Sequence, residues 1–101
     1  MVNYLDAVAE RVKDELASPL RPDTDGATLY RLYALLVLVK GKRTTLEDVH
    51  DAWSTWMAPR QPHHAALIPF ANLSRDQQEQ DRPYLEAILR TADAVLIPAK
   101  T

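Results

Sequence analysis

Leu5, Val8, Val12 and Leu16 recur at spacings of three and four, with Asp6, Glu10, Arg11, Lys13 and Asp14 between them. An α-helix returns a side chain to the same face about every 3.6 residues, so this pattern predicts a first, amphipathic helix over residues 2–17. Residues 18–26 then gather Ser18, Pro19, Pro22, Asp23, Thr24, Asp25 and Gly26, a composition that removes backbone donors and favours turns, and a loop is predicted there. Beyond it, Leu29, Leu32, Tyr33, Leu35, Leu36, Val37, Leu38 and Val39 leave scarcely any polar face. A central, largely buried helix is predicted over 28–40, with Gly41 where a helix C-cap often stands.

Thr44 or Thr45 can cap a third helix over 46–58, with Glu47 or Asp48 reaching back to close a capping box and Leu46, Val49, Trp53, Trp56 and Met57 forming the apolar stripe. Pro59, Pro62 and Pro69 interrupt the stretch that follows, yet Leu67-Ile68-Pro69-Phe70 is too apolar to be left in water. An irregular segment pressed onto the helices is expected. Ser74, with Gln77 completing a second capping box, opens another helical pattern that carries Leu85, Ile88, Leu89, Ala92 and Val95 and runs to about residue 93. Pro83 cannot donate to a helix interior, so the pattern is expected to break, with Asp81 as a new cap and Pro83 in the first turn. No strand-like alternation and no internal repeat is visible. The expected fold is all-α: four to five helices in a small single-domain bundle, residues 1–40 forming a helical hairpin, with an irregular Pro-rich segment packed on it.

The chain has 101 residues, 47% of them apolar and 26% charged, which suits one packed core and excludes a disordered tail. The absence of cysteine removes disulfides, thiolate metal sites and cysteine nucleophiles together. Met1-Val2-Asn3-Tyr4-Leu5-Asp6 has no basic segment leading into an apolar one, so a cytoplasmic location is expected. The longest aliphatic run, residues 34–39, falls far short of the roughly twenty residues of a membrane span, and no membrane association is expected. A formal net charge of −2 gives no general attraction to phosphate backbones, which argues against nucleic acid as the partner.

The chemistry on offer is sparse. His50, His63 and His64 are the side chains that ordinarily titrate near neutrality. They do not have metal-ligand spacing, so no metal and no cofactor is expected. Ser54 lacks the turn motif of a serine nucleophile and Ser74 sits where a helix cap belongs, so no catalytic residue is assigned and an enzyme is not expected. Glu47, Asp48 and Asp51 suit a solvated first turn favoured by the helix dipole. Lys40-Gly41-Lys42-Arg43 makes a local cationic loop, followed at once by those acidic residues. Trp53 and Trp56 can stack on a planar ligand or fill the core.

Read together, Val49-His50-Asp51-Ala52-Trp53, then His64-Ala65-Ala66-Leu67-Ile68-Pro69-Phe70-Ala71-Asn72-Leu73, then Asp81-Arg82 resemble the ryanodine-receptor repeat family, over residues 46–92. That family carries a histidine and a tryptophan on a helix, a later H-x-x-L-[VI]-P-[YF]-x-x-L segment and an aspartate–arginine pair. This chain departs from it between Trp53 and His64, where Met57-Ala58-Pro59-Arg60-Gln61-Pro62 replaces a glycine- and aromatic-rich stretch. Leu38-Val39-Lys40-Gly41 leading into Thr45-Leu46-Glu47-Asp48-Val49-His50 also resembles small proteins of actinobacteria and their phages. The repeat family implies a noncatalytic helical module that binds, in some members, an adenine nucleotide or an ADP-ribose-like signal.

The residue types for such a pocket are Trp53 and Phe70 for stacking, His50 and His64 for hydrogen bonds, and Arg82 or a loop cation for phosphate, with Pro69, Leu73 and Asp81 completing the motif. The other role for these residues is structural: His50, His64 and Asp81 would hold the 67–73 segment against the helices, and Arg82 would pair with Asp81 or a carboxylate of the third helix. A protein–protein adaptor or a phage or host inhibitor is the alternative function, resting on small size and an exposed amphipathic first helix. Pairing into a homodimer would also cover aliphatic helix faces.

Overall fold

The computed structural model describes residues 3–22 and 26–100, with side chains to residue 95; the predicted start of the first helix at Val2 and loop positions 23–25 lie outside the described residues. Five helices follow one another: α1 (Tyr4–Asp14), α2 (Gly26–Val39), α3 (Leu46–Met57), α4 (Arg75–Glu79) and α5 (Arg82–Lys100), with single 3₁₀ turns at Ser18–Leu20, Gly41–Arg43 and Phe70–Asn72. Among the described residues there is no strand. The fold is an all-α bundle in which α2 is the central element, touching α1, α3 and α5.

The caps explain the boundaries. Asn3 accepts from the Asp6 N–H and opens α1. Thr45 accepts from Asp48 N–H at 3.2 Å while the Asp48 carboxylate accepts from Thr45 N–H at 2.9 Å, closing the box at α3. Ser74 and Gln77 do the same for α4. The break before Pro83 is real: α4 ends at Glu79, α5 begins at Arg82, and Pro83 sits in its first turn, where its missing N–H would be unpaired in any case. Besides α2, which begins at Gly26 and so two residues ahead of the predicted 28, two boundaries differ from expectation. α1 stops at Asp14, short of residue 17, and α5 continues past residue 93 to Lys100.

Val12, Tyr33, Val37, Val49 and Ile88 are the large side chains sealed in the core, each side chain of this kind stabilising the fold by about 1.5–3 kcal/mol through burial. The apolar stripe of α1 is covered rather than exposed: Val8, Ala9 and Val12 are buried, and α1 packs on α2 and α5. The irregular segment is only partly pressed down, for Leu73 is buried and Leu67 and Phe70 are half-buried, while Ile68 keeps 40% of its surface in water.

Gly41 follows α2 with φ 55°, a left-handed conformation that a Cβ disfavours. Gly41→Ala is therefore expected to lower stability by about 1–2 kcal/mol in urea denaturation. No loss would mean that the turn re-forms with a different backbone. Of the neighbouring cations, Lys40 and Lys42 are held by Asp48 at 2.9 Å and Asp93 at 2.7 Å, so the basic loop is largely neutralised at home. No helix among the described residues is long and apolar enough to cross a membrane.

Candidate functional site

A cavity of about 640 Å³ opens between α2, α3, the 18–22 turn and the α4–α5 corner. Its lining follows helical spacing on each element: Leu29 and Tyr33 on α2; His50, Trp53 and Trp56 on α3; Gln77, Gln80, Asp81 and Tyr84 around the corner. Residues 19–22 close one side and are fixed there by two bonds. The Tyr84 hydroxyl donates to Leu20 O at 2.8 Å, and Arg21 Nε donates to Leu16 O at 3.0 Å. The volume lies within the range of about 300–1,000 Å³ that small-molecule pockets occupy.

His50 ties the irregular segment to α3. It is 3% exposed, and its Nε2 lies 2.7 Å from Ile68 O. A carbonyl oxygen only accepts, so the proton sits on Nε2 and the neutral ring keeps its lone pair on Nδ1. The same ring stacks at 23° against Trp53 and tilts against Phe70, with centroids 5.9 and 6.2 Å apart. Ser54 Oγ lies 3.4 Å from Nε2, but that nitrogen is a donor and has no lone pair with which to activate a hydroxyl.

His64 meets Trp53 edge-on at 5.1 Å, and its Nδ1 accepts from Ala66 N–H at 3.0 Å. Its neutral ring therefore carries the proton on Nε2. Trp56 is buried beneath the Arg60 guanidinium, 4.3 Å from the ring, whereas Trp53 stays half-buried in the cavity wall.

Asp81 is the anomaly of this wall. Its backbone carbonyl accepts from Leu85 N–H at 3.0 Å to start α5, yet its carboxylate has no hydrogen-bond partner among the described residues. Burial pushes this carboxyl above its ordinary range, and a charge on His50 would oppose that shift only if the ring took up a second proton. Burial also pushes the Tyr33 phenol well up, with Asp81 and Tyr84 adding to the effect, and raises Tyr84 in the same way. Tyr33 and Tyr84 lie 6.0 Å apart, so a carboxylate and two phenols share one region of the cavity.

The structure brings His50, Trp53, His64, Leu73 and Asp81 to this wall. Phe70 supports His50 without lining the cavity, and Pro69 lines a second, shallower depression with Asp51 and Ser54. Arg82 is placed elsewhere. It points to solvent and donates to Glu79 at 2.9 Å, pairing neither with Asp81 nor with a carboxylate of α3. The cation at the cavity is instead Arg21. Asp81 does not hold the 67–73 segment, which is bonded by His50 and by Gln78 donating to Phe70 O at 2.9 Å. Arg21, Tyr33 and Tyr84 escaped the sequence reading; the spacing 77, 80, 81, 84 is the signal that could have exposed Tyr84. Among the described residues no group of three or more His, Asp or Glu side chains could hold a metal ion.

Fold and site together define a small all-α domain with an aromatic-walled cavity that carries a carboxylate without a hydrogen-bond partner among the described residues. The chain belongs to the DUF7701 family, described as a domain of unknown function, whose profile matches residues 3–93. No curated protein and no solved structure matches it significantly.

Proposed function

We propose that this domain is a noncatalytic recognition module whose cavity binds a small nucleotide-like ligand. The observation that carries the reading is the Asp81 carboxylate, half-buried and unpartnered on an aromatic wall. A desolvated acceptor without a donor costs free energy in the empty protein, and a ligand N–H group would relieve that cost. Trp53 supplies a half-buried face for stacking a planar base. Arg21 has its Nε committed to Leu16 O, and its terminal N–H groups are the guanidinium fork suited to a phosphate at the rim. The resemblance of residues 46–92 to ryanodine-receptor repeats, noncatalytic modules with nucleotide binding in some members, supports the same reading.

A thermal-shift and calorimetric screen with adenine and guanine nucleotides and ADP-ribose tests it. Ligand at about a hundred times its dissociation constant should add roughly 2.7 kcal/mol of stability. Trp53→Ala should abolish that shift while the helical circular dichroism persists. A panel with no shift in the wild-type protein would refute the reading.

An adaptor for a protein partner is the second reading. What favours it is not α1, whose apolar face is covered, but Leu35 and Val39, one turn apart on α2 and 50% and 70% exposed.

A further inference from the structure

The polar groups on the cavity wall differ in what they can accept and donate, and that difference selects among bases. Both Asp81 oxygens are acceptors with no donor supplied by the described residues. His50 has spent its Nε2 proton on Ile68 O, so its neutral ring can only accept at Nδ1. Donors on the same wall include His64 Nε2–H, left by the bond that Nδ1 accepts from Ala66 N–H, the Tyr33 hydroxyl, which has no hydrogen-bond partner among the described residues, and the side-chain amides of Gln77 and Gln80. The two free oxygens of Asp81 therefore suit a ligand edge with two adjacent N–H donors, and the donors around them suit an acceptor beside that pair.

Resting on the nucleotide reading above, we propose that the cavity selects guanine over adenine, with the Asp81 carboxylate accepting both N1–H and an N2–H of the base. A planar carboxylate takes two parallel N–H groups in bidentate fashion, which is the strongest geometry available to it. Guanine presents that pair, and its O6 accepts from the Tyr33 hydroxyl or His64 Nε2–H. Adenine presents one N–H pair on N6 beside a bare N1, whose lone pair would face the second carboxylate oxygen. The preference arises as much from this repulsion as from the attraction. Asp81 thereby acts as the specificity-determining residue, and Trp53 stacks on either purine without distinguishing them.

The experiment is isothermal titration of guanosine, adenosine and xanthosine 5′-monophosphates into wild-type protein and into D81N, both checked for folding by circular dichroism. A discrimination of about 1–3 kcal/mol for a bidentate contact predicts that the wild type binds the guanine nucleotide some 10- to 100-fold more tightly than the adenine nucleotide. In D81N the amide offers one acceptor and one donor, so guanine should lose its advantage and xanthine, which carries a carbonyl at position 2, should gain it. Equal or tighter binding of the adenine nucleotide by the wild type would overturn guanine selection while leaving the nucleotide pocket standing. A D81N protein that binds the guanine nucleotide as well as wild type would overturn the role of Asp81. No binding of any of the three would overturn both readings.

Discussion

Replacing His50 with alanine is expected to cost about 2–3 kcal/mol of stability, lowering the melting temperature of a domain this size by some 10–20 °C. The imidazole fills a position that is 3% exposed, contacts two aromatic rings, and donates the hydrogen bond that fixes Ile68 O. Its removal leaves a void on α3 and frees the segment that carries His64. The damage should therefore be local as well as global. Amide exchange over residues 64–73 should accelerate far more than exchange in α1, which packs on α2 and α5. His50→Gln, which keeps a donor near the carbonyl, should recover part of the loss. A His50→Ala protein within about 0.5 kcal/mol of wild type, the range of an ordinary surface change, would show that the ring does not pin the segment.

Replacing Asp81 with asparagine should act in the opposite direction and stabilise the empty protein at neutral pH. Burial without a partner raises this carboxyl above its ordinary value of 3.8, so the folded state holds the proton to higher pH than the unfolded chain does. Between the ordinary and the raised value the native protein binds more protons, and stability must fall as pH rises through that window. Above it the ionised group imposes its full cost, which is absent below pH 3.8. Since the carboxylate is only half-buried and water screens part of its charge, a gain on the order of 1 kcal/mol is expected for D81N at pH 7, a rise of several degrees. Melting curves from pH 3 to pH 8 should show the two proteins diverging as pH rises. A D81N protein less stable than wild type at pH 7 would mean that the carboxylate supports the fold, and its value as a ligand acceptor would lose its rationale. With D81N raising stability and moving the base preference from guanine to xanthine, Asp81 would stand as a residue that weakens the fold and serves recognition.

The sequence alone determined the helical elements, because the physics behind them is local. Thr45 with Asp48 and Ser74 with Gln77 satisfy backbone donors within a single turn, and Pro83 ends one helix and begins the next through its own missing N–H. The apolar spacing of α3 and α5 likewise foretold which faces turn inward. His50, Trp53 and His64 were legible as candidates because few residue types carry such chemistry, and Asp81 because it belongs to a recognisable spacing. Only the tertiary structure decided what they meet. Asp81 stands in the turn ahead of α5 and faces the cavity, while Arg82, the first residue of α5, turns back to Glu79, so the pairing suggested by their adjacency in sequence does not form. Arg21, Tyr33 and Tyr84 reach the same cavity from three separate segments, a convergence that no local pattern encodes. Whether the apolar face of α1 lay open to a partner was settled by α2 and α5, since burial is a property of what packs against a helix and not of the helix itself.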